Sequence, residues 1–128
     1  MNFLLDTHTI LWFLDGNQSL SPKARAAIET ATTTKFISIA SIWEIAIKRG
    51  LGKIGSEITL KELMQAILEN GFEFLPLDFI HILSLSELEN FHRDPFDRII
   101  IAQALTENLT LISKDQNFNL YPGVKLVW

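Results

Sequence analysis

The sequence contains no cysteine. That absence removes disulfide scaffolds, thiolate zinc sites, iron–sulfur clusters and cysteine nucleophiles together. Long apolar runs are missing too. The richest stretch, residues 36–47, includes Glu44 and two serines, and it falls far short of the roughly 18 apolar residues that a membrane span needs. The opening Met1-Asn2-Phe3-Leu4-Leu5-Asp6 has no basic flank, and Asp6 interrupts its apolar part too early for a secretory signal. A soluble, cytoplasmic protein with no membrane association is therefore expected. Positive charge is scarce: 11 Lys and Arg stand against 15 Asp and Glu, for a net charge of −4 and a pI near 5.3. A broad basic surface for nucleic acid, which goes with a pI above about 9, is excluded.

What is present suits one domain over residues 1–128, with 48% hydrophobic residues. A chain of this size buries roughly two-thirds of the surface it exposes when unfolded, enough for one core. No repeat, linker or low-complexity segment interrupts it. Short apolar runs alternate with segments of helical period, the pattern of an α/β protein with a mainly parallel sheet. Candidate strands are Asn2 to Leu5, Phe36 to Ile39, Glu73 to Leu75, Leu109 to Ser113 and Val124 to Val127. The clearest helix carries Leu60, Leu63, Met64, Ile67 and Leu68 on one stripe and reads as packing. Ser21-Pro22 predicts a helix start that buries Ala24, Ala27, Ile28 and Ala31.

The acids fall at matching places. Asp6 follows the first strand, Glu44 comes soon after the second, Asp94 and Asp97 open the helix containing Ile100, Ile101 and Ala104, and Asp115 follows the fourth strand. In open parallel sheets the ligand crevice lies outside the carboxyl ends of the strands, so acids distant in sequence can converge there. Such a cluster repels itself unless cations occupy it. Magnesium and manganese suit it, as hard cations that take oxygen ligands. Two of them would bring the formal charge of −4 to about zero, so the acidity of the chain need not repel RNA. Two-metal sites activate water and stabilise the leaving oxygen of a phosphoryl displacement without a protein nucleophile.

Each acid also has a purely structural reading. Ser41 and Glu44 have the spacing of a capping box. Asp94-Pro95-Phe96-Asp97 reads as a helix cap, a first-turn proline and an acid favoured by the helix dipole. Asp6 and Asp115 could be turn residues that bond their own backbone. Lys48, Arg49, Lys53, Arg93, Arg98 and Lys114 rim the acids and could hold phosphates, although solvated faces and local ion pairs are equally open to them. Trp12, Phe13 and Trp43 could line a partner groove or simply fill the core.

Other chemistries fail on their own residues. His8, His81 and His92 have no His-Glu-x-x-His spacing for zinc proteolysis. His8 and His92 read as cleft-edge residues and His81 as surface or core. Gly50-Leu51-Gly52-Lys53 is not a phosphate loop, because Ile47 stands where glycine is needed and Ile54 replaces the required hydroxyl. A dehalogenase-like phosphatase needs a second aspartate two residues after Asp6, where this chain has His8.

Four ordered segments carry a family resemblance: Leu4-Leu5-Asp6-Thr7-His8; Ser41-Ile42-Trp43-Glu44-Ile45-Ala46-Ile47-Lys48 with Leu51-Gly52-Lys53; His92-Arg93-Asp94-Pro95-Phe96-Asp97-Arg98; and Leu111-Ile112-Ser113-Lys114-Asp115 with Phe118. The chain resembles the PIN-domain ribonucleases, and closely the VapC toxins of bacterial toxin–antitoxin pairs, nearly end to end. The resemblance implies a PIN-like α/β fold with a central five-stranded parallel sheet flanked by helices. It also implies Mg2+- or Mn2+-dependent RNA cleavage, a homodimer and neutralisation by a VapB-like antitoxin. By position, Asp6 and Asp97 would be the principal metal ligands, Glu44 would hold a metal or its water, and Asp115 would complete the catalytic acids. Thr7 and Ser113 would bond ligands or metal-bound water, with Ser113 standing where many relatives have Thr. Asp94 belongs to a subgroup pattern, as a cap or auxiliary ligand. Lys48, Arg49, Lys53, Arg93 and Arg98 would contact RNA. The activity expected is hydrolysis of RNA phosphodiesters by a metal-activated water, leaving 5′-phosphate and 3′-hydroxyl ends. The competing expectation is a PIN-like module that binds RNA or protein without cutting. An antitoxin helix would dock near Trp12 and Trp43.

Overall fold

The computed structural model describes residues 1–51 and 58–128; Lys53, expected at the RNA, lies outside them. The described residues form, in chain order, β1 (Phe3–Leu5), α1 (Thr7–Asp15), α2 (Pro22–Glu29), β2 (Lys35–Ser38), α3 (Ile39–Gly50), α4 (Leu60–Glu69), β3 (Glu73–Leu75), α5 (Phe79–Ser86), α6 (Pro95–Glu107), β4 (Thr110–Ile112), a 3-10 turn (Gln116–Leu120) and β5 (Lys125–Val127). The strands make one parallel sheet in the order β3-β2-β1-β4-β5. The α/β architecture and the five parallel strands agree with the sequence reading.

The sheet is buried on both faces, which is why its strands read as continuous apolar runs rather than alternating ones. Phe3, Leu5, Ile37 and Ile112 pack with Ile10, Ala24, Ile28, Ile45, Leu63 and Ile67, so α1 to α4 supply one layer. Leu4 and Leu111 point the other way and meet Ile100, Ile101 and Ala104 of α6, with Phe118 and Tyr121. Successive strand residues thus feed opposite cores, as the period of two requires. Ala40, Ile99 and Ala102 join α3 to α6 where they meet.

Helix starts follow the caps. Ser21 accepts the Ala24 N–H at 3.0 Å ahead of Pro22, as its sequence predicts; Ala24 and Ile28 are buried, while Ala31 lies beyond the helix and is exposed. Ser38 ends β2 and caps α3 by accepting the Ala40 N–H at 3.0 Å. The second strand therefore stops at Ser38, and Ile39 is helical. The α4 stripe is only partly packing: Leu63 and Ile67 are buried, but Met64 is 45% and Leu68 52% exposed. His81 belongs to the core, with Nδ1 accepting the Asp78 N–H at 3.0 Å ahead of α5. No helix among the described residues is long and apolar enough to cross a membrane.

Candidate active site

The register of the sheet decides where the acids meet. Leu5 lies opposite Ile112 in the β1–β4 ladder and opposite Ile37 in the β1–β2 ladder. The chain therefore leaves these three central strands at one level, and a cleft of 240 Å³ opens beyond their carboxyl ends. Asp6, Glu44, Asp94, Asp97 and Asp115 all line it, with Thr7, His8, Lys48 and Phe118. Convergence of acids from across the sequence is thus a feature of the structure.

Each acid is fixed by a local device. Asp6 caps α1; its Oδ1 accepts the Thr9 N–H at 2.8 Å and the Thr9 hydroxyl at 2.6 Å, and its Oδ2 accepts the Ser113 hydroxyl. Ser113 also accepts the Asp115 N–H at 3.1 Å, so one buried hydroxyl ties β1 to the loop after β4. Asp94 caps α6, its Oδ1 accepting the N–H groups of Phe96 at 2.8 Å and Asp97 at 3.2 Å, with Pro95 in the first turn. Asp115 caps the 3-10 turn by accepting the Asn117 N–H at 2.9 Å. Capping and cleft-lining are therefore one arrangement for Asp6, Asp94 and Asp115.

Glu44 is different. It lies inside α3, 4% exposed, with Thr7 donating to Oε1 and Lys48 to Oε2. The capping-box reading of Ser41 and Glu44 is overturned, because α3 starts at Ile39 under the Ser38 cap. Ser41 is already inside the helix, and its buried hydroxyl has no hydrogen-bond partner among the described residues.

Crowding of like charge shows in the acidities. Burial pushes the Asp97 carboxyl up to about 7, and the charges of Asp94, Glu44 and Asp6 add to that against the opposing influence of His92. Burial also raises Asp6, despite the hydrogen bonds from Ser113 and Thr9. For Lys48, burial is the largest single influence and pulls downward. The hydrogen bond and charge of Glu44, with Asp94 and Asp97, outweigh it and raise the ammonium.

Carboxylates crowded into one cleft, with Asp97 raised to about 7 and Asp6 raised by burial, form a donor set suited to a hard divalent cation. His92, Asp97 and Asp115 each offer a ligand atom, all within 4.8 Å of one another. Asp6 and Glu44 stand beside this group, with both of their oxygens already accepting hydrogen bonds.

Of the cations expected to meet RNA, only Lys48 lines the cleft among the described residues. The Arg49 guanidinium donates to the Ile58 carbonyl. That of Arg98 donates to the Glu89 carbonyl at 2.8 Å, beyond the end of α5. Arg93 is exposed. His92, placed by the sequence only at the cleft edge, takes a larger part: its Nε2 lies 2.8 Å from Asp115 Oδ2 and its Nδ1 3.0 Å from the Tyr121 hydroxyl. These partners are 23 and 29 residues away in the chain, so no local spacing announces them.

A family profile described as PIN domain matches residues 3–124. The chain belongs to the PIN-domain family. Comparison with curated proteins gave no match. Among solved structures, this PIN domain is similar to VapBC2 from Rickettsia felis bound to a DNA fragment from their promoter, with a TM-score of 0.74 at 18% identity over 98% of this chain and 97% of that one. It is similar to DNA-bound VapBC from Salmonella typhimurium, with a TM-score of 0.71 at 16% identity over 98% and 96% of the two chains. VapBC-1 from nontypeable Haemophilus influenzae gives a TM-score of 0.64 at 20% identity, again over 98% and 96%.

Proposed function

We propose that this PIN domain is the toxin of a toxin–antitoxin pair: a Mg2+- or Mn2+-dependent endoribonuclease that hydrolyses RNA phosphodiesters and leaves 5′-phosphate and 3′-hydroxyl ends. The observation that carries the reading is the cleft where Asp6, Glu44, Asp94, Asp97 and Asp115 converge beside Lys48, with Asp97 holding its proton up to about pH 7. Asp97, Asp115 and Asp6 would hold the cation directly, with Glu44 on the cation or its water and Asp94 as an auxiliary group. When bound, the cation supplies an activated water and stabilisation of the leaving oxygen.

The remaining work falls to the chain itself. Thr7 and Ser113 donate to Glu44 and Asp6 and so keep the carboxylates in fixed orientation. Lys48, tethered to Glu44, is placed to balance the charge of a phosphate entering the cleft. Arg93, Arg49 and Arg98 would contact RNA only outside this cleft, as backbone contacts that position the strand without reading sequence; Lys53 remains a proposed RNA contact outside the described residues.

The proposed partners are a VapB-like antitoxin and a second copy of this chain, and the proposed setting is the cytoplasm. Several solved complexes of similar fold are VapBC assemblies, which supports the antitoxin. Apolar surface is available for both partners: Ile39, Trp43 and Ile47 recur along α3, and Phe79, Ile80, Ile82 and Leu83 along α5, all exposed. An amphipathic antitoxin helix would lay its apolar face near Trp43 and bring a cation to the acids. Trp12 sits more deeply, packed against the core with Trp128.

The test is incubation of the isolated protein with total cellular RNA in Mg2+, Mn2+ or chelator. Cleavage with metal and none in chelator is expected. RNA retention in chelator with no cleavage under any metal would overturn the nuclease reading in favour of a binding module.

A further inference from the structure

We propose that His92 is a positioning residue for Asp115: Tyr121 engages the ring at Nδ1, and the Nε2–H on its other side fixes the carboxylate that faces the cation site. The inference rests on the reading of the cleft as a divalent-metal site.

The direction of each hydrogen bond follows from Tyr121. Its hydroxyl oxygen lies 2.9 Å from the backbone nitrogen of His92, which has only a proton to give, so the oxygen accepts there. The hydroxyl proton is then left for His92 Nδ1 at 3.0 Å. An imidazole that accepts at Nδ1 carries its proton on Nε2, and Nε2 lies 2.8 Å from Asp115 Oδ2. Asp115 therefore receives two donors, His92 on Oδ2 and the Asn117 N–H on Oδ1 at 2.9 Å. One donor on each oxygen fixes the plane of the carboxylate, and each oxygen keeps a lone pair for a cation. Packing holds the ring in place: His92 stacks on Tyr121 with ring centres 5.5 Å apart at 21°, and its centre is 4.9 Å from that of Phe118.

The competing assignment makes Nε2 itself a metal ligand beside Asp97 and Asp115, whose atoms lie within 4.8 Å of it. A ligating Nε2 must be unprotonated, which moves the proton to Nδ1. Tyr121 would then accept both from Nδ1 and from the His92 backbone, and its own proton, at a residue 2% exposed, would find no acceptor among the described residues. Orphaning a buried donor is unfavourable. The Nε2–H form leaves no such orphan. Groups that orient metal ligands in this way matter nearly as much as the ligands themselves.

The experiment combines a spectrum with a titration. Long-range 15N NMR of the metal-free wild type reads the His92 tautomer directly: Nε2–H is expected, and Nδ1–H would overturn the assignment. Mn2+ affinity is then measured by electron paramagnetic resonance of the free ion for wild type, His92→Gln, His92→Leu and Asp97→Asn. The Gln side chain can place an amide N–H near the Nε2 position, so His92→Gln is expected to hold affinity within about threefold, whereas His92→Leu, which packs without donating, loses about ten- to a hundredfold. Equal losses in Gln and Leu, or no loss in Leu, would overturn the positioning role. Asp97→Asn separates the two levels: unchanged Mn2+ affinity there contradicts the metal site itself, while a loss there with none in His92→Leu contradicts only the role of His92. Should the Leu variant fail to fold, the wild-type tautomer still decides.

Discussion

Ser113 donates its hydroxyl to Asp6 across the β1–β4 ladder, 107 residues away in sequence, while accepting the Asp115 N–H at 3.1 Å. The register that pairs Leu5 with Ile112 sets the two residues side by side, so sheet geometry becomes site geometry. Ser113→Ala leaves a buried carboxylate oxygen and a backbone N–H without this partner, a loss of about 1–3 kcal/mol. Denaturant melts should show that loss for Ala, whereas Ser113→Thr, which keeps the hydroxyl, should retain both stability and Mn2+ binding. Equal stability of the Ala variant and wild type would contradict the role.

Asp97 gives a pH dependence whose sign can be worked out. Its native carboxyl holds a proton up to about pH 7, above the ordinary value of 3.8. Between those values the native state binds more protons than the unfolded state, so its stabilising contribution is complete below 3.8 and is lost as pH rises toward 7. Asp97→Asn, which never ionises, should therefore stabilise the metal-free protein at pH 8, by on the order of 1–2 kcal/mol after solvent screening. The gain should vanish near pH 3.5. Thermal melts in chelator at both pH values check this, and a variant less stable than wild type at pH 8 would contradict it.

Metal binding should carry the complementary signature. A cation at Asp97 must displace the retained proton, so apparent Mn2+ affinity should fall as pH drops from 8 to 6. Calorimetry in buffers of different ionisation heat would record the released protons. Affinity independent of pH over that range would place the cation away from Asp97.

Lys48 and Glu44 form a half-buried pair, with side chains 26% and 5% exposed. Lys48→Met leaves Glu44 with Thr7 as its hydrogen-bond donor, and a destabilisation of on the order of 1–2 kcal/mol is expected once partial exposure is allowed for. Adding Glu44→Gln should then cost less than the two single losses combined, with a coupling of about 1 kcal/mol in a double-mutant cycle. Strict additivity would show that the pair does not act as a unit.

Trp43 is 58% exposed and meets Phe96 edge-on with ring centres 5.2 Å apart. Trp43→Ala should cost the isolated protein less than about 1.5 kcal/mol while weakening capture of the proposed antitoxin at least tenfold. Equal capture by variant and wild type would place the antitoxin elsewhere.

Much of this was legible in the sequence because its causes are local. The strands are short and apolar because both faces are buried, and Asp6, Asp94 and Asp115 stand where a strand or loop gives way to a helix or turn, positions that residue order alone reveals. The remainder depends on packing. Ser41 and Glu44 have capping spacing, yet Ser38 starts the helix one turn earlier. Met64 and Leu68 sit on an apolar stripe, but of that stripe the core buries Leu63 and Ile67 and takes in Leu60 in part. Arg98 looks like a nucleic-acid contact until the segment after α5 supplies the Glu89 carbonyl as an acceptor. His92 acquires its partners only when Asp115 and Tyr121 fold back beside it.

The most direct test of the acid cleft as a metal-dependent ribonuclease site is end mapping of RNA cut by the wild type and by Asp97→Asn, with Mn2+ and with chelator. Cuts bearing 5′-phosphate and 3′-hydroxyl ends, made by the metal-loaded wild type and lost both in chelator and in the variant, are the predicted result. Cuts that persist unchanged in Asp97→Asn, or that leave 2′,3′-cyclic phosphates, would contradict it.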